Sequence, residues 1–206
     1  MVILMAAAAA VASMQARIAE HVNDPGSWFS ASDFDPQNLD KASITTFDVT
    51  IDAAGKPIRC DIIIPSGSTK IDAAVCSGVS SRAHFRPALD AKGMPIASVQ
   101  QERVVWRPQG HGRTRWRELP DIVVQTDRLS GDETRSSRAS LIVDQSGAVE
   151  RCVILDHAND STLDNTACDV VRNQGRVSPV LDERGASIRG MRSYIVGFEA
   201  HSQGGH

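Results

Sequence analysis

The chain repeats itself at an offset of 92 residues. Gly55, Cys60, Cys76, Pro87, Asp90 and Gly93 recur as Gly147, Cys152, Cys168, Pro179, Asp182 and Gly185, with no insertion between them. Asp52, Arg59, Ile62, Asp72, Val79, Leu89, Ile96 and Val104 recur as Asp144, Arg151, Ile154, Asp164, Val171, Leu181, Ile188 and Val196. A register kept over this length means that one small unit of roughly 90 residues occurs twice. The 206 residues then divide into two modules rather than one large domain. The expected boundaries are a signal remnant at 1–16, a first module with its lead-in at 17–108, a linker and entry segment at 109–138, a second module at 139–200 and a tail at 201–206.

A unit of this size buries a modest core and often needs a staple. Both cysteine pairs, Cys60 with Cys76 and Cys152 with Cys168, keep the same fifteen-residue gap. Four cysteines allow three pairings, and the repeat selects one disulfide within each copy. The alternative is a pair of buried free thiols per copy. Neither spacing matches a close CxxC zinc or redox motif. Each bridge would contribute about 3 kcal/mol through the unfolded state, and would place the protein in an oxidising compartment. The apolar run Val2 to Ala12, followed by the small-x-small site Ala10-Val11-Ala12, reads as a signal sequence. It lacks a preceding Lys or Arg, and an Ala-rich first helix is the other reading. No other stretch is long and apolar enough to cross a membrane.

Within copy one, Phe47, Val49 and Ile51 alternate with Asp48, Thr50 and Asp52, the pattern of a half-buried strand. Asp52-Ala53-Ala54-Gly55-Lys56 is a hairpin turn, and Ile58, Cys60, Ile62 and Ile64 form a second strand. Asp72 to Ala83 reads as a helix, with Ser68 or Thr69 at its cap. Val99 to Trp106 is the last strand. Copy two follows with Leu141 to Val143, Arg151 to Leu155, the helix Leu163 to Asn173 and the strand Arg192 to Phe198. Ile122, Val123 and Val124 offer an extra edge strand or entry segment to copy two. Trp28 and Phe29 are expected to pack on copy one. The fold class expected is α+β: two tandem modules, each a three-stranded antiparallel sheet with one helix, in the order strand–strand–helix–strand.

This pattern resembles the C-terminal domain of the TonB family of energy transducers. The residues that carry the resemblance are Phe47 to Ile58, Ser66-Gly67, Asp72-Ala73-Ala74, Phe85-Arg86-Pro87-Ala88, Gly93-Met94-Pro95-Ile96 and Val104-Val105-Trp106. Asp33-Phe34-Asp35-Pro36 looks like an altered counterpart of the family's Tyr-Pro signature, and Val177-Ser178-Pro179-Val180 stands for Phe85 to Ala88 in copy two. The resemblance implies a periplasmic protein-binding module, linked to energy transduction or transport at the outer membrane. Its partner would be an extended peptide segment, of an outer-membrane receptor for instance, added to the last strand of a module. The partner-binding positions so implied are Val99, Gln101, Arg103 and Val105 in copy one, with Arg192, Tyr194 and Val196 in copy two. The sequence carries no clear anchor or long Pro-rich spacer, which favours a binding module over a working transducer.

Composition separates the remaining classes. A formal charge of -3 and a pI near 6.1 give no basic face for nucleic acid. The cluster Arg103, Arg107, Arg113, Arg115 and Arg117 reads as a solvated linker. No cofactor or metal motif is present in the sequence. A catalyst needs positioned acid, base or nucleophile, and the available parts are His84, His111, His157, Asp72 and Asp90. The recurring aspartates occupy first helical turns and loop turns, where carboxylates have structural work. The expectation is therefore no enzyme. A structural or inhibitory periplasmic protein is the alternative, with a small hydrolase behind it.

Overall fold

Each copy begins with a hairpin that its turn residues dictate. The Asp52 carboxylate accepts the amides of Ala54 and Lys56 at 2.8 and 2.9 Å, and Asp144 does the same for Ser146 and Ala148 at 2.7 and 2.9 Å. Gly55 and Gly147 close these turns at φ +86° and +81°, a region that glycine enters without steric cost. A side chain on Gly55 would meet the Phe85 carbonyl at 2.1 Å. The computed structural model describes residues 16–30, 33, 43–106, 120–173 and 177–201. The apolar run Val2 to Ala12, the whole 107–119 stretch with its arginines and His111, and the tail past His201 lie outside those residues.

The long strands are β1 (Ser43–Ile51), β2 (Pro57–Ile64) and β3 (Ser98–Trp106) in copy one, with helix α1 (Thr69–Arg82) between β2 and β3. Next come β4 (Ile122–Thr126), β5 (Thr134–Val143), β6 (Val149–Asp156), helix α2 (Ser161–Asn173) and β7 (Gly190–Ala200). β4 and the start of β5 fall inside the segment 109–138. Both expected cross-links are present, Cys60 to Cys76 and Cys152 to Cys168, each pinning a helix to the second strand of its own copy.

The expectation of two separate three-stranded sheets is overturned. Among the described residues the fold is α+β with two α-helices, but one seven-stranded sheet runs β6-β5-β7-β3-β1-β2, with β4 also paired to β7. Three two-stranded ribbons lie beside it: Glu20–His21 with Phe85–Arg86, Ala88–Leu89 with Pro95–Ile96, and Val180–Leu181 with Ser187–Ile188. The physical reason lies in backbone pairing. A three-stranded sheet leaves its last strand with one side unladdered, and here the two last strands meet. β3 and β7 pair in parallel at Ser98 with Met191 and Val99 with Arg192, while β1–β2, β1–β3, β5–β6 and β5–β7 are antiparallel.

The joint fixes where the cores sit. Cross-strand partners point to the same face. Ser98 pairs with Ile51, which packs under α1, so Met191 also turns toward α1. Val99 and Arg192 turn the other way, toward α2. The helices therefore cover opposite faces of the shared sheet. Each core borrows from the other copy: Ile142 and Met191 join Phe47, Val49, Val75 and Val79, whereas Ala97 and Val99 join Leu141, Leu163, Val171 and Phe198. The lead-in completes the first core with Trp28, which is 1% exposed. Gly78 of α1 makes room for it, since a Cβ there would meet the Trp28 carbonyl at 2.6 Å.

The recurring first-turn aspartates brace each helix to its sheet. Asp72 accepts from the Thr45 hydroxyl at 3.1 Å and the Ser66 amide at 2.9 Å. Asp164 accepts from the Ser137 hydroxyl at 2.7 Å and the Ala158 amide at 2.9 Å. The outer strands of the sheet, β2 and β6, carry bulges and charged pairs such as Arg59–Asp61, features that discourage edge-to-edge pairing. Among the described residues no helix is long and apolar enough to cross a membrane.

Candidate functional site

β3 and β4 both approach the same side of β7, and the sheet forks between them. At the start of β7 the Met191 amide donates to the Ala97 carbonyl at 2.8 Å. Further along, the Asp121 amide donates to the Ile195 carbonyl at 2.8 Å, and the Ile195 amide donates back to the Asp121 carboxylate at 2.7 Å. From there Ile122 to Thr126 runs parallel to Val196 to Ala200. β3 leaves the ladder after Val99. Because strand backbone alternates sides, Gln101 and Val105 turn their N–H and C=O groups away from β1, as Ala97 does. Among the described residues no strand pairs with that side of β3 beyond Val99.

On the α1 face this part of β3 borders a cavity of about 220 Å³, walled by Trp28, Phe29, Phe47, Glu102 and Val104. Aromatic edges hold the wall together: Phe29 to Trp106 at 5.5 Å, Trp28 to Phe85 at 5.5 Å and His21 to Trp28 at 5.1 Å between ring centroids. His21 Nε2 lies 2.8 Å from Glu102 Oε1. The hydrogen bond to Glu102 raises the imidazole above its ordinary range, against some opposing desolvation.

On the α2 face the fork is polar. Arg192 reaches Asp48 of copy one at 2.8 Å and donates to the Ser178 and Pro179 carbonyls at 3.2 and 3.4 Å. Burial pushes the Asp48 carboxyl up, although Arg192 and Gln101 pull the other way. Burial likewise raises Asp121, opposed by the Ile195 amide, Arg138 and Arg192. Tyr194 beside them is raised by burial as well. This cluster ties the two copies across the joint.

The sequence-derived binding positions thus divide. Val99 is buried and laddered to Arg192. Gln101 is exposed, Val105 is half-buried, and the Arg103 Nε donates to the Thr46 hydroxyl at 3.4 Å. Arg192, Tyr194 and Val196 lie on a strand flanked on both sides. β5 lies along one side of it, and β3 then β4 along the other, with Val196 paired to both Ser137 and Ile122. Among the described residues no strand pairs with the outward backbone of Gln101 and Val105, whereas β4 lies along the matching side of β7.

The groups weighed for catalysis are dispersed. His157 Nδ1 lies 2.6 Å from Asp164 Oδ2, with its ring 63% exposed. In copy one the same Thr45–Asp72–Ser66 brace exists, with Pro65 where copy two has His157. Asp90 accepts the amides of Lys92 and Met94 in its own turn, and the His84 amide donates to Asn23. Among the described residues no group of three or more His, Cys, Asp or Glu could hold a metal.

Sequence reasoning missed Asp48, Asp121 and the His21–Glu102 contact. Asp48 reads as an ordinary solvent-side residue in an alternating strand. Its one distinguishing sign is that it does not recur: copy two has Ser140 there. Asp33 of the altered Tyr-Pro counterpart holds Arg82 at 2.6 Å, while Phe34, Asp35 and Pro36 lie outside the described residues. Compared with protein-family models, characterised proteins and solved structures, the chain matches none.

Proposed function

We propose that this chain is a periplasmic protein-binding module of the TonB type, which takes an extended segment of its partner onto the outward side of β3, at Gln101 and Val105. The observation that carries this reading is the backbone of Gln101 and Val105, turned outward next to a cavity walled by Trp28, Phe29 and Phe47. A strand laid there gains main-chain hydrogen bonds along β3. Its alternate side chains reach either the aromatic cavity or the polar side of the fork, which gives affinity from backbone and selectivity from pockets. The partner fitting this surface is an extended, aliphatic segment such as an outer-membrane receptor would present. The two disulfides and the apolar run at Val2 to Ala12 support the periplasmic placement.

Site-specific photocrosslinking tests the reading. A photoreactive residue at Gln101 or Val105, in full-length protein exposed to periplasmic extract and outer membranes, should trap a partner through one short segment. The same group at Ser77, on the exposed side of α1, should not. Crosslinks confined to Ser77, or absent from both β3 positions, would remove strand addition as the mode of binding.

A further inference from the structure

We infer that β4 is a built-in occupant: a strand held in cis on the surface of copy two that corresponds to the outward side of β3 at Gln101 and Val105, so that copy two is closed to partners in the folded chain. The inference rests on the strand-addition reading of β3 and extends it to the other copy.

Three observations carry it. First, β4 lies on β7 where the repeat would place a visitor. Val196 and Phe198, which pair with Ile122 and Val124, are the counterparts of Val104 and Trp106 at an offset of 92 residues. Ile122 and Val124 pack against the second core as alternate side chains of an added strand would, while Val123 is 49% exposed. Second, the equivalent lead-in of copy one goes elsewhere. Ser30 and Asp33 form a turn against α1, where Arg82 reaches Asp33 at 2.6 Å and donates to the Trp28 carbonyl at 2.6 Å. Third, the two last strands differ at the residue that decides access. Gly197 has no side chain, and a Cβ there would meet Pro120 at 2.9 Å. Copy one carries Val105 at that position. The missing side chain lets Pro120 seat and brings Asp121 to the Ile195 amide. The kind of segment such a surface holds is therefore visible in the chain itself: a carboxylate that caps the first amide, then β-branched residues at alternate positions, running parallel.

The test is backbone amide exchange on the full-length oxidised protein. The odd-numbered residues of β7 turn toward β4, as Ile195 does, so Gly197 and Glu199 report on β4, whereas Tyr194 and Val196 face β5. Val124→Pro removes the β4 amide that faces Gly197, since in this parallel register Gly197 bonds the residues flanking its partner Val123. Exchange at Gly197 and Glu199 should rise roughly tenfold or more, with Tyr194 and Val196 unchanged. A synthetic peptide of residues 120–127, added in excess, should restore protection in the variant and leave wild-type Gly197 and Glu199 as they were. If Val124→Pro exposes Tyr194 and Val196 as well, Gly197→Val, which imitates copy one, is judged at Glu199 by the same standard. Unchanged exchange in both variants would overturn the inference. So would fast exchange that the peptide fails to slow. Loss of crosslinking at Gln101 and Val105 would instead strike the reading of β3, and these amides would not register it.

Discussion

Removing the Cys60–Cys76 bridge by a Cys60→Ala, Cys76→Ala double substitution should cost about 3 kcal/mol and lower the stability of both copies together. The bridge joins residues 16 apart in sequence. In the chain-entropy account, closing a loop of that size removes about 10 cal/mol/K from the unfolded ensemble, or about 3 kcal/mol at room temperature. The folded state adds to the effect. Among the described residues β2 is an outer strand laddered only to β1, and α1 is held to the sheet by few buried side chains, chiefly Ile71, Val75 and Val79. Both cysteines are only partly buried, so truncation to alanine leaves little cavity. With a urea slope of about 2 kcal/mol per M, the midpoint should fall by about 1.5 M. Because Ile142 and Met191 belong to the first core and Ala97 and Val99 to the second, the loss cannot stay in copy one. Tryptophan fluorescence, which reads Trp28 and Trp106 in copy one together with Trp116 of the segment that follows it, and far-UV circular dichroism, which reads the whole sheet, should shift together. A loss below about 1 kcal/mol would refute the clamp. Two separated transitions would refute the interlocked cores.

Two further outcomes follow from single contacts. Arg192→Met should cost about 2 kcal/mol in urea unfolding, because it strands the partly buried Asp48 carboxylate near Asp121; adding Asp48→Asn should recover at least half of it, and no recovery would mean that the pair does not couple the copies. His21 has its pKa raised above 6.5 by Glu102, so its contribution is complete below that value and fades as pH climbs through the folded pKa. The urea midpoints of wild type and His21→Gln should differ at pH 5.5 and converge by pH 8.5, by less than about 1 kcal/mol for a half-exposed pair; a constant gap would show that packing against Trp28, not charge, is what His21 supplies.

The local chemistry of the fold was legible because it is written in short-range signals. Asp52 with Gly55, Asp90 with Gly93 and their copies announce turns whose hydrogen bonds close within four residues. The cysteines announce themselves by recurring at one spacing. What was not legible is the joint, which depends on long-range register. Nothing about Val99 or Met191 says that each will lie in the other copy's core. A partial sign was present: Leu141-Ile142-Val143 is a continuous aliphatic run, and such a run marks a strand covered on both faces rather than one. The candidate site was half legible. Gln101 and Val105 emerged from the resemblance, and Ile122 to Val124 reads from sequence as either an extra edge strand or an entry segment. The Asp48–Arg192 tie was invisible because it links residues 144 positions apart.

A pair of identical subunits related by symmetry must show the same surface twice, so any visitor welcomed by one is welcomed by the other. Writing both halves into a single polypeptide lifts that rule. If β3 takes a partner strand as proposed, Val105 and Gly197 are where this chain uses the freedom: one methine-bearing side chain, present here and missing there, would let twin grooves follow different careers, the first reserved for guests and the second retired into the masonry.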